Sequence, residues 1–341
     1  MPGQPMLPYF LQLTLRLSQG IGRLDDDVRG RAATFLRAAQ GPGGGFHGKS
    51  ATEDIYYTGF AVRGLSLLGE LDESTVTHAY RFLRSFLTAS RVSSFTATDV
   101  FSFLQTAVLL EAETGTSVFD SRDATMKEWA LEQWSRFRCE DGGYASSRNT
   151  PYSSTYHTFL VAATGELLGI DEMRKNKMGA MILRRRRSDG GFVELEKLRY
   201  GGTNPTAAAV ALLRLLESRS GTGRIPGSPV PPPTARGASI DFLLNQRTDD
   251  GGFRANPRIP ESDLLSTFTA MIALIDLGAE GRLEIDSLRR YLEGRRHPDG
   301  GWTGGPWDTE PDVEYTFYGL AASGVLETVR KEPDATAVGP W

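Results

Sequence analysis

The stretch that decides the fold is Asp299-Gly300-Gly301-Trp302, because its pattern recurs along the chain. A glycine can take positive φ where the backbone reverses, and the aromatic residue that follows can fill the joint from inside. The related copies have two glycines before an aromatic residue: Gly44-Gly45-Phe46, Asp141-Gly142-Gly143-Tyr144, Asp189-Gly190-Gly191-Phe192 and Asp250-Gly251-Gly252-Phe253.

The spacing of these motifs predicts a repeat protein. The aromatic positions 46, 144, 192, 253 and 302 are separated by 98, 48, 61 and 49 residues. The first gap is twice 49, which predicts a degenerate copy near residue 95, and Ser93-Ser94-Phe95 occurs there. A period of this length is typical of stacked supersecondary units.

Each motif is followed by a helix that is apolar nearly all round, and the six helices begin near Asp54, Asp99, Ser154, Thr206, Asp263 and Asp312. Such helices are buried, whereas the amphipathic helices between them belong to an outer layer. An open rod of six helix pairs would expose apolar end faces, so we expect a closed, all-α (α/α)6 toroid with a central funnel. The toroid spans 1–341 as a single domain, with a proline-rich inserted loop at 218–237 and a tail at 327–341.

The composition limits the classes of function. The net charge of -4 and the pI of about 5.7 argue against nucleic acid as a partner. Cys139 is the only cysteine, which excludes an internal disulfide and a cysteine-rich zinc site. The first dozen residues lack a signal-peptide pattern, and no run of 18 apolar residues occurs, so we expect a cytoplasmic protein that does not span the membrane.

The motif resembles the repeat signature of the prenyltransferase and squalene-cyclase superfamily, including the QW motif (compare residues 246–253). The length and single ring are most similar to the β-subunit of protein prenyltransferases, in particular type II geranylgeranyltransferase. This resemblance covers residues 25–326. It implies an α6–α6 barrel that holds a prenyl diphosphate in an aromatic funnel, a zinc ion that activates a thiol, and an α-subunit-like helical partner.

The zinc ligands of that family are only partly matched here. Asp263 stands at the position of the family's aspartate, but Leu265 stands at the cysteine position and Tyr315 at the histidine position. A leucine cannot bind zinc. We therefore disfavour zinc as a cofactor and expect the ordinary zinc-thiolate mechanism to be missing. Arg254 and Arg258 match the family's basic pair for diphosphate oxygens, with a one-residue shift.

His157 is a further candidate, in the stretch Tyr156-His157-Thr158-Phe159. With Asp263 and Asp312 it could form a relocated metal site. The alternative is a histidine satisfied by hydrogen bonds at a helix start. For the aspartates, the alternative is helix capping.

Aromatic residues are frequent at the starts of the apolar helices. An aromatic-lined cavity suits an isoprenoid chain, although a protein core needs aromatic residues as well. The predicted ligand-binding residues of the funnel are Tyr56, Tyr57, Tyr156, Phe268 and Phe317, together with Arg254 and Arg258.

Three functions follow from the sequence. The first is a prenyltransferase β-subunit-like protein that binds an isoprenoid, with Asp263, Asp312, His157 and Tyr315 as candidate catalytic residues. The second is a non-catalytic toroid that binds a partner protein or peptide. The third is a divergent terpene cyclase with Asp263 or Asp312 as the acid, disfavoured because residues 24–27 do not satisfy the Asp-x-Asp-Asp motif of those enzymes.

Overall fold

A computed structural model describes residues 7–87, 92–119, 125–170, 177–218 and 233–329. These residues contain thirteen α-helices and two short antiparallel hairpins. The helices are α1 (Tyr9–Ile21), α2 (Asp26–Ala38), α3 (Ile55–Leu68), α4 (Glu73–Arg84), α5 (Ala97–Thr114), α6 (Met126–Ser135), α7 (Thr155–Leu167), α8 (Met178–Arg184), α9 (Thr203–Ser218), α10 (Pro233–Leu244), α11 (Leu264–Asp276), α12 (Ile285–Arg295) and α13 (Val313–Thr328). The strands are β1 (Phe46–His47), β2 (Glu53–Asp54), β3 (Phe253–Arg254) and β4 (Ser262–Asp263).

The inner helices form a closed ring. In order they are α3, α5, α7, α9, α11 and α13, and each packs against the next, with α13 returning to α3. Outer helices α2, α4, α6, α8, α10 and α12 pack on the inner ones. The α/α toroid expected from the repeat is therefore confirmed.

Glycine makes the turns between the layers. Gly300 has φ of 98°, and a Cβ atom there would lie 2.4 Å from the carbonyl oxygen of Arg31 on α2. Only glycine tolerates both the dihedral angle and this approach. Because α2 is the first outer helix and Gly300 follows the last, the contact closes the ring.

A threonine on the inner helix fixes each complete motif. The backbone N–H of Phe253 donates to Thr267 Oγ1 at 2.9 Å, and Thr267 Oγ1 donates in turn to the carbonyl oxygen of Asp263. The same aromatic-to-threonine bond occurs for Phe46 and Thr58, Tyr144 and Thr158, Phe192 and Thr206, and Trp302 and Thr316. The degenerate copy differs, since Phe95 N–H donates to the carbonyl oxygen of Val92.

Helix α1 closes one end of the ring. Tyr9 donates its hydroxyl to Asp276 Oδ2 at 2.8 Å and its backbone N–H to Glu166 Oε2 at 2.6 Å. These acceptors lie in the last turns of α11 and α7. At the other end of α1, a Cβ on Gly20 would lie 1.9 Å from the carbonyl oxygen of Gly324 on α13. The central space is thus closed at the C-terminal ends of the inner helices.

Two expected boundaries need correction. The inserted loop was expected to run to residue 237, but α10 begins at Pro233, so 233–237 are helical. The tail was expected from residue 327, but α13 continues to Thr328. The remaining parts, 219–232 and 330–341, lie outside the described residues. None of the described helices is long and apolar enough to cross a membrane.

Candidate functional site: an aromatic funnel closed at its base

The interior of the ring holds an arginine. Arg63 lies in the middle of α3, and its guanidinium carbon is 4.5 Å from the centre of the Phe60 ring and 4.7 Å from that of Phe317. Its Nε–H donates to the carbonyl oxygen of Gly59 at 3.0 Å. Within the described part of the chain, its other N–H groups have no acceptor. Burial lowers the pKa of Arg63, yet the side chain keeps accessible surface and therefore faces the funnel.

Aromatic side chains from four inner helices surround this arginine. Phe60 lies 5.3 Å from Tyr318 of α13, and Tyr318 lies 5.5 Å from Phe268 of α11. Tyr156 of α7 lies across the ring, and burial raises its pKa to about 12 while the charge of Arg63 acts in the opposite direction. The predicted Tyr156, Phe268 and Phe317 therefore share one chamber, although α3 and α7 are not neighbours in the ring.

The same chamber contains a carboxyl group. Glu314 accepts a 2.6 Å hydrogen bond from the hydroxyl of Tyr56. Burial raises the pKa of Glu314 to about 7; the charge of Asp312 also raises it, and the Tyr56 hydrogen bond and Arg63 oppose the rise. Glu314 thus changes its charge near neutral pH. The predicted Tyr57 packs edge-on against Tyr56 with ring centres 5.4 Å apart, at the side of the mouth.

The aspartates at the helix starts are caps. Asp263 accepts from the backbone N–H of Ser266 at 2.6 Å and from its hydroxyl at 2.7 Å, so both carboxylate oxygens are engaged. Asp312 accepts from the backbone N–H of Tyr315 at 2.8 Å. Burial raises the pKa of Asp263 and Asp312, and these backbone hydrogen bonds oppose the rise. Their geometry is that of helix N-caps.

His157 is held by hydrogen bonds at both ring nitrogens. Nδ1 lies 2.6 Å from Ser154 Oγ and Nε2 lies 3.2 Å from Thr98 Oγ1. Burial lowers the pKa of His157 to about 4, so the ring is neutral. The relocated metal site with Asp263 and Asp312 is not formed, because no group of three or more His, Cys, Asp or Glu in the described residues could hold a metal ion.

The family's zinc does not fit these residues. Leu265 offers no donor atom, and Ser266 occupies both oxygens of Asp263. Tyr315 is half-buried, and burial raises the pKa of its phenol, so it stays protonated and is a poor zinc ligand. These three positions therefore do not form a zinc site.

The two predicted diphosphate arginines lie apart. Arg254 donates to Gln246 Oε1 at 3.3 Å and to the carbonyl oxygen of Asn245 at 3.2 Å, just after outer helix α10. Arg258 is exposed and lies 4.7 Å over the ring of Tyr200 on the preceding loop. The structure therefore gives the two arginines separate contacts, Arg254 beside the end of α10 and Arg258 beside Tyr200.

The loops before the inner helices form a rim around the open mouth. They carry large apolar side chains that are 39–60% exposed: Tyr152, Leu198, Tyr200, Ile259 and Trp307. Neighbouring loops are joined by Lys197 over the ring of Tyr152 at 5.2 Å and by Lys49 with Asp308 at 2.5 Å. The rim thus carries exposed apolar side chains next to charged residues that join its loops.

Sequence reasoning missed Arg63, Glu314 and Phe60 as funnel residues. A signal for the first was present, because Arg63 is the only charged residue in the fourteen-residue apolar helix Ile55–Leu68. A single charge inside such a helix has to find a partner or a cavity. Glu314 leaves no comparable signal, because an acidic residue in the first turn of a helix is common.

The fold and site together define an α/α toroid with an aromatic chamber at its centre. The model of the prenyltransferase alpha-alpha toroid domain family matches residues 2–100 and 99–336, so the chain belongs to this family. The resemblance in the repeat motif is confirmed. No curated protein matches the chain.

Solved structures share the fold at low identity. A Candida albicans protein geranylgeranyltransferase-I complexed with GGPP has a TM-score of 0.60 at 14% identity, over 91% of this chain and 90% of that chain. A variant of the type II terpene cyclase MstE from Scytonema, in complex with geranylgeranyl dihydroxybenzoate as substrate, has a TM-score of 0.57 at 14% identity, over 94% and 99%. A variant of an alpha-1,6-mannanase from Salegentibacter has a TM-score of 0.54 at 13% identity, over 89% and 99%. The likeness concerns the fold alone.

Proposed function

We propose that this protein binds an isoprenoid chain in its central funnel. The observation that carries the proposal is the cluster of aromatic side chains at the centre of the ring, which includes Tyr56, Phe60, Phe268 and Phe317 and is closed at its base by α1. An enclosed pocket with aromatic walls and few polar groups suits a long apolar ligand. The two isoprenoid-binding neighbours support this choice, whereas the mannanase shares only the ring.

Transfer of a prenyl group through a zinc thiolate is not part of this proposal. Asp263, Asp312 and His157 already hold helix starts together, and the zinc donors are not assembled. Any chemistry in the funnel would therefore use other groups, and binding of the chain is the function that the geometry supports best.

Titration calorimetry with geranylgeraniol tests the proposal, since this alcohol has the isoprenoid chain but no charge. The wild type should bind it. Phe317→Ala should weaken binding about tenfold or more through loss of apolar contact in the funnel. Phe95→Ala is the matched control, because Phe95 is equally buried but packs against Phe86, Phe103 and Trp129 outside the funnel. Absence of binding to the wild type would contradict the proposal.

A second function, docking of a helical partner protein, is favoured by an apolar stripe on the base of the ring. Leu11 and Leu15 are 42% and 51% exposed and lie four residues apart, so they share one side of α1, and Leu7, which precedes the helix, is 49% exposed. Sedimentation velocity of the wild type and of Leu11→Glu/Leu15→Glu tests it with a helical-repeat subunit of a protein prenyltransferase as the probe. A complex lost in the variant supports docking, and no complex with the wild type contradicts it.

A further inference from the structure

Arg63 is a cation inside the protein that forms no salt bridge with any carboxylate of the described residues. Its side chain is only partly buried, and its Nε–H donates to the carbonyl oxygen of Gly59. The rings of Phe60 and Phe317 attract the guanidinium, but they supply no hydrogen-bond acceptor in its plane. An unpaired charge in the interior of a protein is unfavourable unless an opposite charge forms an ion pair with it.

The charges around Arg63 limit the kind of ligand that can form an ion pair with its guanidinium. The groups whose charges act on Arg63 include the carboxyl group of Glu314 and the phenols of Tyr56, Tyr156 and Tyr318. Arg63 in turn is a cation that acts on both Glu314 and Tyr318. A single guanidinium can neutralise one negative charge. A diphosphate carries more than one and would need additional cations, which lie outside this chamber.

The depth of Arg63 specifies the orientation of the ligand. Arg63 is the ninth residue of the fourteen in α3, so it lies roughly 12 Å below the start of the helix and roughly 8 Å above its end. Below it, Phe10 of α1 packs against Phe101 and Phe159 and fills the space toward the base. A long chain attached to a group at Arg63 can therefore extend only toward the mouth and the apolar rim.

We propose that Arg63 is the binding site for a carboxylate head group, and that the ligand enters the funnel head first with its apolar tail toward the rim. The planar guanidinium offers two parallel N–H groups, which match the two oxygens of a carboxylate. The phenols of Tyr156 and Tyr318 interact electrostatically with Arg63, and their hydroxyls can donate to that head group. This inference rests on the proposed function for the nature of the tail, and it adds the head group and its direction.

Calorimetry with four probes tests the head group: geranylgeranoic acid, geranylgeraniol, geranylgeranyl diphosphate and palmitate. The wild type should bind the prenyl acid about tenfold more tightly than the alcohol, as expected for a charge-assisted hydrogen bond in a dry site. Arg63→Met should remove this preference, since methionine keeps the apolar stem but carries no charge. Arg63→Lys should restore part of it. Arg282→Met is the control, because Arg282 pairs with Asp241 at the surface.

The outcomes separate this inference from the proposed function. Binding of the alcohol and the acid with equal affinity, or a preference that survives Arg63→Met, would overturn the Arg63 site while the isoprenoid funnel stands. Tighter binding of the diphosphate than of the acid would also overturn it. Arg63-dependent binding of palmitate without binding of any prenyl probe would retain the carboxylate site and refute the isoprenoid function.

A nitroxide-labelled fatty acid tests the direction. A label near the tail end should quench the fluorescence of exposed Trp307 on the rim more strongly than a label beside the carboxyl group. The difference between the wild type and Trp307→Phe isolates the signal of this tryptophan. Stronger quenching by the label beside the carboxyl group would show the opposite orientation and refute head-first binding.

Discussion

Arg63 and Arg185 are both arginines held inside the protein, the first in the funnel and the second in the wall, and their surroundings differ. Arg185 is 2% exposed and follows α8 in the wall between two repeats. Its Nη2 donates to the carbonyl oxygen of Ser153 at 3.1 Å and to Ser153 Oγ at 2.5 Å, and lies 3.4 Å from Asp141 Oδ2. Arg63 has Gly59 as its acceptor and faces the funnel.

The difference separates structural charge from functional charge. Arg185 is matched by an anion and by oxygens from the facing loop, so it joins two repeats. Arg63 contacts only the carbonyl oxygen of Gly59 in its own helix and the rings of Phe60 and Phe317 among the contacts of the described residues. A buried charge with an opposite charge beside it has a structural role in the wall of the ring. A buried charge without such a neighbour indicates that a ligand supplies the opposite charge.

The largest expected effect is that of Arg185→Met on stability. The substitution leaves Asp141 and the oxygens of Ser153 without their cation, so we expect the free energy of unfolding to fall by about 3 kcal/mol. Urea unfolding followed by circular dichroism measures it. Arg184→Met is the control, since Arg184 is on the surface with Glu196 at 3.8 Å, and should change stability by less than about 0.5 kcal/mol. Equal effects of the two variants would remove the structural role of Arg185.

Arg63→Met should have a much smaller effect on the same measurement in the absence of ligand. Relief of an unpaired interior charge offsets the loss of attraction to Phe60 and Phe317, so we expect a change of less than about 1 kcal/mol in either direction. A loss as large as that of Arg185→Met would mean that Arg63 has a structural partner. In that case Arg63 would be a structural charge like Arg185.

The repeat fixed most of the architecture from sequence, for a local physical reason. Glycine at positive φ and a buried aromatic residue leave a signature within four residues, as at Gly300 and Trp302. The same signature located the degenerate copy at Phe95. The closing contact between Gly300 and Arg31 joins opposite ends of the chain. The repeat predicts a closed ring but does not specify this contact.

The site was less predictable, because its members meet across the ring. Tyr156 and Phe317 were named from their positions at helix starts, but Arg63 lies two turns further along its helix. Arg254 was aligned with a family residue, yet its side chain follows the nearer acceptors at Asn245 and Gln246. Spacing along the chain specifies the helix and the turn. It does not specify which side chains of non-adjacent helices meet at the axis.

The smallest expected effect is the pH dependence of carboxylate binding, which probes the other charge of the chamber. Glu314 is protonated below its pKa of about 7 and ionised above it. Ionised Glu314 attracts Arg63 and repels a carboxylate head group, so the affinity for geranylgeranoic acid should decrease by about threefold as the pH rises from about 6 to about 8. The effect is modest because water at the mouth screens the charges. Over this range His157 remains neutral, since burial lowers its pKa to about 4.

The other groups that face Glu314 must be considered before this dependence is assigned to it. They are Tyr56, Tyr57 and Arg63 from α3, Tyr156 from α7, and Asp312, Tyr315 and Tyr318 from the segment of Glu314 itself. Burial raises the pKa of each tyrosine, so all five stay neutral between these pH values. Glu314→Gln keeps the acceptor for Tyr56 and removes the charge, and its affinity for the acid should be independent of pH. If the affinity of Glu314→Gln still changed with pH, the titrating group would be Asp312. Glu314 would then have no effect on binding of the head group.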